Sequence, residues 1–235
     1  MPRASAVLFD YGRTLVTFEY PMAELSAVIE RFRPRIASAT GLPAPATDAI
    51  MTSVLLPLEE LIESPSEDEV TYLDGYAAAW RRVGLELPPD LLYEIIDAEQ
   101  RVWDRTACVD PDAFWALEWL AANGVRRGVC SNAPFPPEMM RRQLATNGLA
   151  RQLDAITFSS EVGRRKPARE MYAATLDALG VDAADALFVG DRVREDYEGP
   201  RALGLRAVIC TRHAAHAPGP EVPTIESLRE LPRVL

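Results

Sequence analysis

The chain has 235 residues, enough for one large domain or two modest ones, and 48% of them are hydrophobic, so a sizeable core can form. Its net charge of −10 leaves no basic excess to displace counterions, which argues against general nucleic-acid binding. No apolar run approaches the ~20 residues of a membrane helix. No cleavage-site pattern follows the first short apolar stretch, and Cys108, Cys130 and Cys210 are scattered without a CxxC pair, so a cytoplasmic location with reduced thiols is expected.

The first predicted strand is Ala4–Asp10, where Ala6-Val7-Leu8-Phe9 forms a continuous apolar run ending on a carboxylate. Such runs suit strands buried on both faces of a parallel sheet. From residue 16 to about 107 the pattern turns helical, with helices expected at Met22–Ala39, Asp48–Glu63, Glu67–Val83 and Asp90–Arg105. Ser66 and Glu69 have the spacing of a capping box for the third of these. Beyond this insert, strands are predicted at Arg127–Ser131, Ala155–Ser159, Ala186–Asp191 and Arg206–Cys210. They alternate with helices at Pro111–Ala122, Pro136–Asn147, Arg169–Leu179 and Glu195–Leu203, each followed by a glycine suited to a helix C-terminus. Alternating strands and short-looped helices imply βαβ units, so residues 1–15 and 108–235 should form a doubly wound parallel α/β core. Residues 16–107 should form a four-helix bundle inserted after the first strand. The Ala/Pro/Gly-rich stretch Ala214–Pro223 reads as a surface connection to a short helix at Ile225–Leu231.

Ligands of open α/β sheets bind at the carboxyl ends of the strands, so the residues there are the candidates. Asp10 and Thr14 follow the first strand, Ser131 and Asn132 the second, and Asp191 the fourth, with Asp196 opening the next helix. Lys166-Pro167 follows the third, and Lys166 is the only lysine among 25 basic residues. Taken singly, each of these is more often a turn former or helix cap than a chemical group. The functional reading rests on their conjunction: all occur in order, each at a strand end, and the lone ammonium is among them. His213 and His216, in the Ala/Pro-rich tail, read as surface residues. The four tryptophans lie on helical patterns and are expected in the core or in its seam with the insert. Arg31, Arg33, Arg81 and Arg82 read as solvated.

This ordered set resembles the four motifs of the haloacid dehalogenase superfamily, across the whole chain. The stretch Gly163-Arg164-Arg165-Lys166-Pro167 with Tyr172 is similar to the third motif, and Gly190-Asp191 through Asp196, Gly199 and Gly204 to the fourth. The resemblance implies a Rossmann-like core with a helical cap closing over the substrate, and a Mg²⁺-dependent phosphoryl hydrolase acting on a small phosphorylated metabolite. It makes Asp10 the nucleophile that forms an aspartyl-phosphate, with Thr14, Ser131, Asn132 and Lys166 holding the phosphoryl oxygens. It assigns the metal to Asp10, the carbonyl of Gly12, Asp191 and Asp196. Amides at the start of the helix after Ser131 would add to the anion site.

Two positions depart from the pattern. The phosphatases carry a second aspartate two residues after the nucleophile, as general acid and base; here Gly12 stands there, removing a contribution of about 10²–10⁴ in rate. A substrate with a good leaving group, a carboxylate such as Glu19, or binding without turnover would each accommodate that loss. Arg13 replaces a residue that is usually small, and could meet a substrate anion. The phosphonate-cleaving branch requires a cap lysine, and residues 16–107 contain none. The haloacid dehalogenase branch shares Ser131-Asn132 and remains the alternative enzyme, although Asp191 argues against it. A catalytically weak binding or regulatory protein is the alternative outside enzymes.

Overall fold

A computed structural model describes residues 4–235, so the first three residues of the expected 1–15 segment lie outside it. Its centre is a six-stranded parallel sheet ordered β5-β4-β1-β6-β7-β8. The strands are β1 Ala6–Phe9, β4 Arg126–Ser131, β5 Ala155–Phe158, β6 Ala186–Gly190, β7 Arg206–Cys210 and β8 Thr224–Ile225. All four residues of β1 are buried, as its unbroken apolar run required. Val7 and Phe9 face a layer built on the helices Ala113–Ala122 and Pro137–Thr146, whereas Ala6 and Leu8 face Met171, Tyr172 and Leu176 of the helix Arg169–Leu179. The side chains thus alternate between two cores with the period of a strand.

β1 is flanked by β4 on one side and β6 on the other, so the connections wind away in opposite directions from the middle of the sheet. That reversal is the switch point at which a crevice opens. The register pairs Phe9 with both Val129 and Val189, which brings the chain leaving β1, β4 and β6 to one edge.

Two core expectations differ in detail. In place of the helix Glu195–Leu203 the chain makes a wide π-type turn, Val193–Glu198, followed by the short helix Gly199–Ala202. Pro200 supplies no amide to continue an α-helical ladder across this junction. The expected helix Ile225–Leu231 is replaced by β8, a 3₁₀ turn at Leu228–Glu230 and a short helix Leu231–Val234. Pairing at the sheet edge wins because the amides of Ile209 and Thr211 find the carbonyls of Pro223 and Ile225.

The insert contains helices Met22–Thr40, Tyr72–Arg82 and Pro89–Thr106 and a helical run over 47–62 with a π-type turn at Met51–Leu55. They enclose their own apolar cluster, in which Ile29, Tyr76, Trp80 and Ile95 are fully buried. Where the chain crosses between core and insert, β2 (Val16–Phe18) and β3 (Ala107–Val109) pair antiparallel, a short ribbon that flanks the expected helices. The third insert helix starts at Tyr72 rather than Glu67, and the expected capping box does not form. Residues 67–69 lie instead against the chain before Lys166: the Glu69 amide donates to the Gly163 carbonyl at 3.2 Å and the Arg165 amide to the Glu67 carbonyl at 2.8 Å. An external pairing partner thus satisfies the backbone that a helical first turn would have used. Arg31, Arg81 and Arg82 are solvent-exposed, and Arg33 is bonded to Glu30 and to the Pro45 carbonyl. Among the described residues no helix is long and apolar enough to cross a membrane.

Candidate active site

The chain leaving β1 turns sharply over residues 11–16, with Arg13 in the left-handed region at φ 57° and its amide on the Val16 carbonyl at 2.6 Å. This turn aims the Asp10 carboxylate into a cleft of about 170 Å³, shared with Gly12, Arg13, Ser131, Asn132, Lys166, Asp191 and Asp196. Eight of the nine candidate site residues therefore line one cavity. Thr14 does not: it is buried, and its hydroxyl has no hydrogen-bond partner among the described residues.

Lys166 is the hub. Its Nζ donates to Asp10 Oδ1 at 2.7 Å and to Asp196 Oδ1 at 2.6 Å, and it lies 5.1 Å from the centre of the Phe188 ring. Burial disfavours the ammonium, but Asp10 and Asp196 outweigh it and hold the Lys166 pKa well above the ordinary lysine range. Asn132 positions this lysine through its backbone. Its Oδ1 accepts from the Lys166 amide at 2.7 Å and its Nδ2 donates to the Lys166 carbonyl at 3.2 Å. Ser131 Oγ donates to Asp10 Oδ1 at 3.0 Å. Both donors to Asp10 use the same oxygen, so Oδ2 has no donor among the described residues.

Asp196 is held on both oxygens. Besides the ammonium on Oδ1, its Oδ2 accepts from the amides of Asp191 at 3.0 Å and Arg192 at 2.9 Å. Gly190 is required for this packing, because a Cβ there would fall inside the Asp196 carboxyl group. The wide turn at Val193–Glu198 is the backbone form that folds Asp196 back under the end of β6. Burial, then Asp10 and Asp196, push the Asp191 carboxyl up to about 7, and its buried Oδ2 has no partner. Asp10, Asp191 and Asp196 each bring an oxygen to within 4.8 Å of the others. Clustered carboxylates with an orphaned buried oxygen are what a hard divalent cation with oxygen ligands would satisfy, so the residues fit such an ion.

Several residues of the cleft escaped sequence reasoning. Phe18, Ile62 and Glu63 come from the insert and its ribbon, and only tertiary folding brings them in. Arg165 and Arg192 stood next to Lys166 and Asp191 in the chain, a signal that could have been read. Glu19 does not line the cleft; the additional carboxylates there are Glu63, paired with Arg192 at 3.2 Å, and Glu195, paired with Arg194 at 3.4 Å. The helix after β4 begins only at Pro137, and the Ala133 amide is taken by Ser159 Oγ at 2.7 Å, so no helix start stands directly behind Ser131. His213 is half-buried rather than simply superficial, with Nε2 2.8 Å from Asp110 Oδ2.

Comparison with known proteins bears on this site. A phosphoglycolate phosphatase of Rhodospirillum rubrum is 39% identical over 103 residues, which make up 44% of this chain and 42% of that protein. The chain thus spans less than half the length of that relative. A glyceraldehyde 3-phosphate phosphatase of Methanopyrus kandleri is 25% identical over 203 residues, covering 86% of this chain and 82% of that protein. Among solved structures, a 2-haloacid dehalogenase from Pseudomonas syringae superposes with a TM-score of 0.67 at 22% identity, covering 98% of this chain and 97% of that one, a likeness of fold. The family model for haloacid dehalogenase-like hydrolases matches residues 4–204, and the chain belongs to that family.

Proposed function

We propose that the protein hydrolyses the phosphate of a small phosphorylated metabolite, with Asp10 as nucleophile and residues 16–107 as the cap over the cleft. The observation that carries this reading is the arrangement around Lys166: the ammonium and the Ser131 hydroxyl hold Asp10 Oδ1, while Asp10 Oδ2 and Asp191 Oδ2 are left without donors. A carboxylate so held has one fixed oxygen and one free to attack. The phosphatase names of the relatives support the same chemistry. A cleft of about 170 Å³ suits a substrate of few atoms.

A divalent ion, Mg²⁺ in this reading, would be held by Asp10, Asp191 and the Gly12 carbonyl, and when bound would screen the nucleophile from the phosphoryl anion. Asp196 holds Lys166 through Oδ1 and, with an oxygen within 4.8 Å of the other two carboxylates, would complete the ligand set from the same cluster. Asp10 Oδ2 forms a bond to phosphorus as the bond from phosphorus to the leaving oxygen breaks; water then cleaves the aspartyl-phosphate. Lys166 and Ser131 donate to the oxygens on which charge accumulates.

Gly12 offers no acid to the leaving oxygen. The reading therefore favours acyl or aryl phosphates, whose leaving groups depart as stabilised anions. The test is hydrolysis of p-nitrophenyl phosphate with and without Mg²⁺. Turnover should require the ion and vanish in Asp10→Asn. Chloride release from 2-chloropropionate without metal, or activity that survives Asp10→Asn, would refute it.

A further inference from the structure

Resting on that reading, the charge pairing of the cleft narrows the substrate. Lys166 is taken by Asp10 and Asp196, Arg192 by Glu63, and Glu195 by Arg194. Lys166 thus serves two carboxylates with a single charge, Arg165 stands at ion-pair distance from Glu69, and Arg13 is the cation of the lining without a carboxylate partner among the described residues. Arg13 makes no side-chain hydrogen bond or ion pair among the described residues. Arg165 is the more telling case. It is only 5% exposed, immediately precedes Lys166, and lines the cleft. Its Nε and Nη1 are buried without a hydrogen-bond partner: Glu69 of the insert stands 3.9 Å from Nε, an ion-pair distance that is too long for a hydrogen bond. Glu69 Oε2 is likewise unsatisfied, so the pair does not complete itself.

A buried guanidinium with unmet donors carries a desolvation cost that an anion in the cleft would relieve. The phosphoryl group under attack is already served by Lys166 and Ser131. We propose that Arg165, assisted by Arg13, binds a second anionic group on the substrate, so that the preferred substrates are small phosphate compounds bearing a carboxylate or a second phosphate. A planar fork with parallel donors suits either oxyanion.

The test uses competitive inhibition of p-nitrophenyl phosphate hydrolysis, so it does not depend on whether the probes themselves turn over. Phosphoglycolate is compared with ethyl phosphate, which has a methyl where the first has a carboxylate. Ethylene glycol bisphosphate is compared with 2-hydroxyethyl phosphate in the same way. The doubly anionic member of at least one pair should bind about ten- to hundredfold more tightly, the range expected of a charge-assisted contact. Arg165→Gln should erase that ratio, Arg165→Lys should keep part of it, and Arg13→Gln should reduce it. A purely structural arginine would weaken both members of a pair alike and leave the ratio intact. Equal inhibition within both pairs by the unaltered protein overturns the proposal without any variant, as does an unchanged ratio in Arg165→Gln. Absence of p-nitrophenyl phosphate turnover would instead remove the phosphatase reading on which the proposal stands.

Discussion

Restoring a carboxylate at position 12 is the sharpest probe of the proposed chemistry. A Cβ on Gly12 would meet a single neighbour, Phe18 Cε2, at 3.8 Å, which is ordinary contact. Gly12 is also absent from the positive-φ glycines, so Gly12→Asp is expected to fold without backbone strain. The new carboxyl joins a cleft that already holds Asp10, Asp191 and Asp196, and the repulsion should raise its pKa by on the order of one unit, or about 1.4 kcal/mol. A raised pKa leaves it a competent acid near neutral pH. General acid help is worth about 10²–10⁴, and a tenfold loss to repulsion leaves a net gain of about 10–10³. That gain belongs to substrates whose leaving oxygen needs a proton. With Mg²⁺ present, kcat/KM for ethyl phosphate should therefore rise by that factor in Gly12→Asp, while p-nitrophenyl phosphate should change by less than about threefold. A gain equal on both substrates would point to better binding rather than to proton transfer. An unchanged or lower rate on ethyl phosphate would refute the reasoning, since another group would then already supply the proton.

Two further outcomes are expected. Lys166→Met leaves Asp10 and Asp196 buried without their shared cation, so it should abolish turnover and cost about 3–5 kcal/mol in urea unfolding. Adding Asp196→Asn should recover part of that stability, and strict additivity of the two changes would deny the coupling. In the insert, burial pushes the Glu99 carboxyl up to about 8 from an ordinary 4.5, with Glu59 adding to the rise and the Tyr76 hydroxyl, 2.8 Å from Oε1, opposing it. The folded protein thus keeps a proton that the unfolded chain releases, so this group lowers stability progressively as pH climbs from 4.5 to 8. Glu99→Gln retains an acceptor for Tyr76 and should match the parent near pH 4 yet exceed it by on the order of 4 kcal/mol at pH 8, read from melting curves. A difference that does not vary with pH would deny a protonated Glu99.

How much of this site was legible in sequence follows from what each residue depends on. A strand buried on both faces must be continuously apolar, and its first polar residue marks where the chain leaves the sheet. Asp10, Ser131 and Asp191 therefore announced themselves, and the solitary lysine sharpened the set. What could not be read was the assignment of individual oxygens. Aspartate spacing alone cannot show that Asp196, besides standing in the carboxylate cluster, accepts from Lys166 and from two amides. Spacing likewise cannot show that the Thr14 hydroxyl is buried without a partner and outside the cleft lining. Glu63 and Phe18 had no local signature, since a bundle contributes to the cleft only those residues that its docking happens to face. The capping box at Ser66 failed for a related reason. Its residues satisfy a local helix start equally well as an extended pairing, and the free strand of backbone before Lys166 decided between them. That same pairing draws Glu69 to ion-pair distance from Arg165 without a hydrogen bond between them. The mismatch in the cleft thus arises where insert and core meet, at the place where a cap would also choose its substrate.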